Sequence, residues 1–586
     1  MNYKAPVEDM MFLLKDVFNI QDEMKDVTRF EDFDYDLYNA VLEEGAKFTE
    51  SVLSPLNRSG DEEECQHSGS EVTTPKGFKE AYRQFCEGGW PSVNADPDFG
   101  GQGLPKALHV LFEEMLYASN TSFGLYPSLT AGAVHTVAAH ASDELKATYL
   151  EKMVSGEWAG TMCLTEPHSG SDLGILKSKA DPQDDGSYKL SGTKIFITGG
   201  EHDLSDNIIH LVLARLPDAP AGPRGISLFL VPKFMVNEDG SLGERNPIFC
   251  GSIEHKMGIK ASSTCVMNLD DATGWLIGPP NRGLACMFTM MNKERLSISI
   301  QGIGLADMSY QVARQYAEER IQGRSAREGK QGAAIIEHAD VRRMLLSMRS
   351  TTEANRALAV YLGMQNDLEE HAATEEERKA AAAQVALLTP IAKAFFTDMG
   401  YDSCNHGVQV LGGHGFIREW GVEQCVRDCR IAQIYEGTNG IQAQDLLVRK
   451  VCADKGAALN VLLETISSTL ESEKSKEGLA DFVATMEAGL ESLKAVTDHI
   501  MKQSEDNIAA SQGGAVEYLH IAGYVINGWL WIKMLGAADV LSEQAKARKF
   551  AAANFFFAHL FTKIDSLKTS IENGYNNVFD LSDELV

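Results

Sequence analysis

Residues 433–442 read QIYEGTNGIQ, and this stretch is the most informative part of the chain. A single carboxylate, Glu436, lies between the aromatic Tyr435 and a run of turn-forming residues. Thr438 is suited to be the N-cap of the helix-like segment 441–450 that follows. A glutamate on a loop, beside an aromatic ring and an apolar pocket, has the setting that raises a carboxylate's pKa toward that of a general base. Taken alone, the segment is more simply explained as a surface glutamate whose charge suits the start of a helix.

Four further segments lie upstream of this loop and change its interpretation. They read TMCLTEPHSGSDLG at 161–174, GTKIFITGG at 192–200, EHKMGIKASST at 254–264 and QVLGGHGF at 409–416. Each by itself is a cluster of small and polar residues of the kind that forms turns, and QVLGGHGF alone would be a helix C-cap. In this order and at these distances, the five segments together resemble the FAD-dependent acyl-CoA dehydrogenases over residues 80–455.

The bulk properties exclude several classes of protein. A chain of 586 residues should form about three or four domains. Its net charge of -30 argues against nucleic acid as a partner, since phosphate binding needs a basic surface. No apolar run approaches the ~20 residues that span a bilayer, so no membrane association is expected, and 524–535 is interpreted as a buried helix. The N-terminal segment shows no secretory signal, and the protein is predicted to be cytoplasmic.

The ten cysteines are scattered singly along the chain. Cys425 and Cys429 form the one close pair, predicted to lie one turn apart on a helix. No second pair completes a zinc site, so reduced and mostly buried thiols are expected and no metal.

Local patterns predict helical segments on both sides of a β-rich region. Strands are predicted at 188–197, 207–214 and 226–231, which are rich in β-branched and aromatic residues and are separated by turn chemistry. A stripe of residues four apart predicts a core-facing helix, namely Leu296, Ile300, Gly304, Met308, Val312 and Tyr316. The predicted segments are a helical extension at 1–37, a helical domain at 38–158, a β-domain at 159–285, a helical bundle at 286–455 and an additional C-terminal helical domain at 456–586.

The resemblance implies an α+β multidomain fold. Its parts are an N-terminal helical domain, a middle β-barrel and a C-terminal four-helix bundle that holds Glu436. The N-terminal extension and the extra C-terminal helical domain resemble the larger bacterial members of the family. That branch includes 3-methylmercaptopropionyl-CoA dehydrogenases and enzymes for longer acyl chains.

The resemblance also implies which residue is the catalytic base. Glu436 matches the glutamate that removes the α-proton, while Gly437 belongs to the same substrate loop. Glu294 lies where a minority of family members hold their base on a different helix. Those members lack glutamate at the position of Glu436, so we favour Glu436 and interpret Glu294 as a helix residue paired to lysine or arginine.

Further site residues follow from the resemblance, motif by motif. The residues expected to contact FAD are Met162, Leu164, Thr165, Ser171, Phe196, Thr198, Arg320, Gln409, Gly412, Gly413 and Thr438. Phe196 stands where many relatives have tryptophan. Ser171, Arg295 and Asn292 are expected to contact CoA, although the position of Asn292 is often aspartate. Because the residues at 409–413 match residues that reach the FAD of a neighbouring subunit, a homodimer is expected.

The implied activity is α,β-dehydrogenation of an acyl-CoA thioester, with electrons passed to an electron-transfer flavoprotein. Within the branch, 3-methylmercaptopropionyl-CoA is the expected substrate. A medium- or long-chain fatty acyl-CoA dehydrogenase, or an acyl-CoA oxidase that passes electrons to O₂, is the alternative.

Overall fold

The computed structural model describes residues 3–325, 329–574, 578 and 581–586. It forms two compact units. The β-unit comprises residues 48–104 and 119–297, and the helical unit comprises residues 1–47, 105–118 and 298–586. Three helices contribute residues to both units, namely α3 (Tyr35–Phe48), α6 (Lys106–His140) and α8 (Gly283–Glu319).

The β-unit is built on a closed sheet. Its strands are β1 (Gln66–Ser68), β2 (Glu71–Thr73), β3 (Trp158–Cys163), β4 (Lys179–Pro182), β5 (Tyr188–Thr198), β6 (Asn207–Ala214), β7 (Ser227–Pro232), β8 (Phe234–Val236), β9 (Leu242–Arg245), β10 (Ile248–Ile253) and β11 (Thr264–Ile277). Seven strands form one sheet in the order β3-β6-β7-β11-β5-β4, with β10 beside β11. Lys179 of β4 also bridges Arg215, just after β6, so the path returns on itself. The expected middle β-barrel is therefore confirmed.

Strand β11 makes the corner of this barrel. Its first part pairs with β5 and β10, and its last three residues pair with β7. The register shifts between Leu269 and Ala272, where Asp271 has a positive φ of 57°. An extra residue in one strand bends the strand, so this bulge allows β11 to serve both sides of the barrel.

Both faces of the central strand β6 are buried, which explains why its sequence is apolar except at Asn207 and His210. Ile209, Leu211 and Leu213 pack into a core formed with α6 and α7 (Asp143–Val154). Val212 and Ala214 point to the other face, into the core between the strands. The helices α4 (Ser54–Glu63) and α5 (Phe78–Glu87) complete the β-unit.

The helical unit contains a bundle and a C-terminal group of helices. Besides its parts of α3, α6 and α8, its helices are α1 (Val7–Phe12), α2 (Ile20–Glu23), α9 (Ala339–His371), α10 (Glu375–Leu411), α11 (Gly413–Phe416), α12 (Val422–Arg430), α13 (Asn439–Gln444), α14 (Ala457–Glu473), α15 (Ala480–Ser511), α16 (Ala515–Gly536), α17 (Glu543–Phe555) and α18 (Lys563–Gly574). A capping box of Thr374 and Glu377 starts α10 and turns α9 and α10 into a hairpin.

Helix α10 is, among the described residues, the one helix long and apolar enough to cross a membrane. The sequence had suggested no such run. Of its most apolar 18-residue window, 78% is buried inside the protein, as in the core helix of a helical bundle.

A buried cluster of charges ties four helices of the helical unit together. Arg356 of α9, 2% exposed, makes a two-pronged ion pair with Glu114 of α6, at 2.6 and 2.9 Å. The same guanidinium donates to Asp9 of α1 at 2.8 Å. Asp9 also pairs with Lys549 of α17, which donates to Glu353 at 2.8 Å. Burial alone would raise the pKa of Asp9, but the two cations outweigh it and lower that pKa to about 2.

Most local predictions are confirmed, with two differences. The three predicted strands correspond to β5, β6 and β7, and 524–535 lies in the buried helix α16. The predicted stripe on α8 is buried as far as Met308, but Val312 and Tyr316 are half-buried. A spacing of four drifts by about 40° per step from the helical repeat, so the stripe rotates off the core face. The predicted extension at 1–37 is helical in its described residues but consists of several short segments, since a π-helical turn at Leu13–Val17 and the left-handed Asn19 interrupt it.

Candidate functional site

The loop around Glu436 belongs to the helical unit and has an unusual backbone. Glu436 and Gly437 are successive residues with positive φ, 56° and 86°. A non-glycine residue in this region costs about 1–3 kcal/mol and persists only when its surroundings hold it. The Glu436 side chain is half-buried. Such a backbone on a glutamate is typical of a residue placed for chemistry rather than for packing.

Buried donors hold the two carbonyl groups of this turn. Gln442 Nε2 donates to the carbonyls of Glu436 and Gly437, at 3.2 and 3.4 Å. Lys393 Nζ donates to the Gly437 carbonyl at 2.8 Å. Gln442 and Lys393 are both 0% exposed. The side chains of Lys393 and Gln442 therefore hold the strained turn in place.

A second set of contacts fixes the residues on either side of the turn. Asn439 Oδ1 accepts from Lys393 Nζ at 2.9 Å, and its Nδ2 donates to Asp398 Oδ1 at 2.7 Å. Gln433 Nε2 donates to the same Asp398 oxygen at 2.6 Å. Tyr435, next to Glu436, donates its hydroxyl to Gln301 of α8. The loop is thus anchored to α8 and α10.

The predicted N-cap is confirmed. Thr438 Oγ1 accepts from the Ile441 backbone N–H at 3.3 Å and starts α13. The helix continues as a π-helical segment, Asp445–Cys452, where the sequence predicted a helix to Lys450.

The predicted pair Cys425 and Cys429 does lie one turn apart, on α12. Among the described residues, no group of three or more His, Cys, Asp or Glu could hold a metal ion.

In the β-unit, the segment after β3 is held by an ion pair that the sequence analysis did not identify. Lys194 of β5, 0% exposed, donates to Glu166 Oε1 at 2.8 Å and to the Leu164 carbonyl at 3.1 Å. Glu166 also accepts from the backbone N–H groups of Lys177 and Ser178. Burial alone would raise the pKa of Glu166, but Lys194 and these donors outweigh it and lower that pKa to about 2.

A signal for this pair exists in the sequence. Lys194 lies an even number of residues from Leu190 on a predicted strand, so both fall on the buried face. A buried lysine needs a carboxylate partner, and Glu166 lies inside the TEPHSGSD segment.

This ion pair fixes the segment 164–166 after β3, which we call the rim. The expected cofactor residues of the β-unit lie on β3, on the rim and the loop after it, and on β5. Leu164 is buried, Met162 and Thr165 are half-buried, and Ser171 is exposed on the loop. The Thr165 carbonyl accepts from the Ile195 backbone N–H at 2.9 Å, which ties this rim to β5. Thr198, at the end of β5, is half-buried.

Phe196 is exposed, and its backbone is strained. Its φ is 60° although it lies within β5, and its side chain is 59% exposed. The register between β5 and β11 shifts at this point, between Cys265 and Met267. The bulge turns the Phe196 ring away from the core. An exposed aromatic ring on a strained backbone is the arrangement of a ligand contact.

Two substitutions separate the strain at Phe196 from the loss of its ring. Phe196→Gly should give a protein more stable than Phe196→Ala by about 1 kcal/mol, because glycine adopts positive φ without a steric penalty and alanine does not. Thermal unfolding of both variants without cofactor measures the difference. An alanine variant as stable as the glycine variant would contradict strain at this position.

Glu294, the alternative base, lies in the β-unit part of α8. It is 2% exposed, and its Oε2 accepts from Ser128 Oγ at 3.1 Å. A Cβ at Gly132 would lie 2.6 Å from its Oε1, so glycine there leaves room for the carboxylate. Asn292 is exposed and Arg295 half-buried on the same helix. Arg295 Nη1 lies 3.5 Å from Asn292 Oδ1.

The remaining expected cofactor residues lie in the helical unit and are exposed. Gln409, Gly412 and Gly413 at the end of α10 are exposed, and so is Arg320 after α8. Nothing lies within 4 Å of a Cβ built on either glycine. Gly412 ends α10 with a φ of 60°, as the helix C-cap interpretation of this segment requires.

Four family models match the chain in sequence. They are the acyl-CoA dehydrogenase N-terminal domain at residues 38–157, the middle domain at 161–272, the C-terminal domain at 281–450 and the acetyl-CoA dehydrogenase C-terminal-like domain at 462–582.

Curated relatives match over the full length. The chain is 42% identical to 3-methylmercaptopropionyl-CoA dehydrogenase of Ruegeria pomeroyi, covering 100% of this chain and 99% of the relative. It is 35% identical to a butyryl-CoA dehydrogenase of Syntrophomonas wolfei, with the same coverage.

Solved structures share the fold. A crystal structure of acyl-CoA dehydrogenase complexed with FAD from Bacillus anthracis matches with a TM-score of 0.77 and 22% identity, over 96% of this chain and 91% of that one. ACDH-11 of Caenorhabditis elegans in complex with C11-CoA matches with a TM-score of 0.79 and 19% identity, over 99% of this chain and 96% of that one. The fold, the family models and the full-length relatives agree, and the chain belongs to the acyl-CoA dehydrogenases, FAD-dependent oxidoreductases that act on CH–CH bonds.

Proposed function

We propose that this enzyme oxidises 3-methylmercaptopropionyl-CoA to its enoyl-CoA, with Glu436 as the base. The observation that supports the substrate is the 42% identity to the Ruegeria enzyme of that name over the whole chain, against 35% to a butyryl-CoA dehydrogenase. The observation that supports the base is the strained turn at Glu436, held by buried donors.

The residues present fit a flavin. In the β-unit, the exposed ring of Phe196 offers an apolar face, and the rim at Leu164 and Thr165 offers backbone groups to the polar edge of a flavin. In the helical unit, the exposed Arg320 would meet a pyrophosphate. The open surface at Gly412 and Gly413 would admit the cofactor of a second subunit, so the enzyme is proposed to be a homodimer. Met162, Ser171, Thr198, Gln409 and Thr438 complete the proposed set.

The protein's share of the reaction is to position the thioester and to take one proton. Bound FAD would supply the acceptor for the hydride that leaves the β-carbon. The Glu436 carboxylate takes the α-proton, so the C–H electron pair forms the new double bond. Gly437 and the backbone N–H of Glu436 would hold the thioester oxygen, where negative charge develops as the proton leaves.

The CoA end needs local positive charge, because the chain as a whole carries a net charge of -30. Arg295 on α8 is proposed to meet the CoA phosphates, with Asn292 and Ser171 as neutral hydrogen-bonding partners. The electrons are proposed to leave through an electron-transfer flavoprotein.

The test is a panel of thioesters. FAD-loaded enzyme is mixed anaerobically with 3-methylmercaptopropionyl-CoA, butyryl-CoA, octanoyl-CoA or palmitoyl-CoA, and the loss of visible flavin absorbance is followed by stopped flow. The proposal predicts that the methylthio substrate bleaches the flavin fastest. Faster bleaching by a plain acyl chain would reassign the substrate. Rapid turnover with O₂ and release of H₂O₂ would reassign the acceptor.

The buried ion pair behind the flavin rim gives a further prediction. Lys194→Met should raise the FAD dissociation constant about tenfold or more, because it leaves the Glu166 carboxylate buried without its cation and loosens the rim. A flavin fluorescence titration measures the constant.

Lys189→Met is the matched control for this substitution. Lys189 lies on the same strand and donates to Thr273 Oγ1 at 2.9 Å, away from the rim. This variant should bind FAD within about twofold of the parent, as a part-exposed contact of small energy would. Equal losses in the two variants would show that the ion pair has no special part in holding the rim.

A further inference from the structure

A histidine of the C-terminal domain contacts the network behind the Glu436 loop. His520 of α16 lies with Nε2 2.9 Å from Asp398 Oδ2. The other oxygen of Asp398 accepts from Gln433 and Asn439, which flank the catalytic loop on its two sides. One carboxylate therefore links α16 to both ends of the turn that holds Glu436.

This contact is built into the packing of α16 on α10. Gly523, about one turn after His520, lies so close to the ring of Phe395 that an added Cβ would be 2.4 Å from it. The same ring meets the edge of His520, with centroids 5.6 Å apart. The side chains of His520 and Asp398 are 18% and 22% exposed. The imidazole thus has a fixed position against α10.

The orientation of the whole network is determined by its donors. Lys393 donates to Asn439 Oδ1, so the Asn439 amide must present its NH₂ group to Asp398. Burial alone would raise the pKa of Asp398, but the donors His520, Gln433 and Asn439 outweigh it and lower that pKa. The charged carboxylate needs a donor on each oxygen, and His520 is the donor on Oδ2.

We propose that His520 is a positioning residue, which sets the geometry of the Glu436 loop from the C-terminal domain through Asp398. The inference rests on the proposed role of Glu436. The family model that contains Glu436 ends at residue 450, and His520 lies in the separate model at 462–582. The extra domain would thereby contribute to catalysis without touching substrate.

Three variants test the proposal. His520→Leu removes the donor to Asp398, and His520→Gln replaces it, since the amide nitrogen of glutamine can occupy the place of Nε2. Asn527→Leu is the control for damage to α16. Asn527 lies about two turns further along the same helix, and its Nδ2 donates at 2.8 Å to Asn355 of α9, away from the Glu436 loop.

The expected result separates positioning from folding. His520→Leu should slow flavin bleaching at saturating thioester about tenfold, with the thioester dissociation constant changed by less than about twofold, because a small displacement of a base lowers rate more than binding. Backbone hydrogen exchange of 433–442, measured by mass spectrometry before thioester is added, should accelerate. His520→Gln should recover most of both losses.

Other results would overturn the proposal. If His520→Leu matches Asn527→Leu in bleaching and in hydrogen exchange, His520 only helps α16 to pack. If bleaching slows while exchange at 433–442 stays that of the parent, the effect does not pass through the loop. A parent enzyme that no thioester bleaches would refute the proposed function instead, and the exchange of 433–442 would still decide whether His520 holds the loop.

Discussion

Glu436→Gln is expected to slow flavin bleaching by about 10³-fold at saturating thioester, because general bases contribute about 10²–10⁴-fold. Glutamine has nearly the shape of glutamate, so the turn with its positive φ should keep its geometry. It has no basic oxygen that can take the α-proton. Anaerobic stopped flow measures the rate, and FAD content should equal that of the parent.

Glu294→Gln is the matched control for the base. It makes the same change of carboxylate to amide, and the amide oxygen can still accept from Ser128 Oγ. We expect a rate within about tenfold of the parent, the size of effect that a supporting hydrogen bond gives. The opposite pattern, with Glu436→Gln active and Glu294→Gln inactive, would transfer the role of base to Glu294.

The largest expected effect on stability comes from Arg356→Met. Removing one partner of a buried ion cluster costs about 3–5 kcal/mol, because the remaining charges stay buried without compensation. Here Glu114 would lose all three of its hydrogen bonds with Arg356, and Asp9 would keep only Lys549 of its two cationic partners. The first urea transition, followed by circular dichroism, should move to a clearly lower midpoint.

Arg83→Met is the matched control for Arg356→Met, because it removes an arginine from ion pairs that are exposed. Arg83 also pairs with two carboxylates, Glu80 and Glu87, but its side chain is 58% exposed. Surface pairs contribute about 0–1 kcal/mol, so its midpoint should stay close to that of the parent. If the urea midpoint falls by a similar amount in both variants, burial does not increase the contribution of the Arg356 cluster to stability.

The structural features that the sequence predicts correctly are those that depend on residues close together in the chain. The strand β6 is predicted with its observed limits, because a short segment with β-branched residues is bounded there by turn chemistry. The turn at Glu436 was predicted from its neighbours, and Thr438 is its N-cap. The chemical roles assigned to the cofactor and substrate residues stay predictions.

The features it missed depend on long-range contacts or on local strain. His520 and Asp398 are 122 residues apart, and no periodic pattern relates them. The bulge at Phe196 depends on the register with β11, which the sequence of β5 alone does not contain. The left-handed Asn19 breaks the N-terminal extension at a residue that is tolerated in that conformation but does not demand it.

The pairing of Asp9 with Lys549 has a consequence for how this protein is made. Ribosomes add about 5–20 residues per second, so the lysine leaves the ribosome about half a minute or more after the aspartate. Until then the segment around Asp9 lacks at least one of the two cations that hold its buried carboxylate. The segment around Asp9 therefore acquires its full set of buried ion pairs only after α17 has been synthesised.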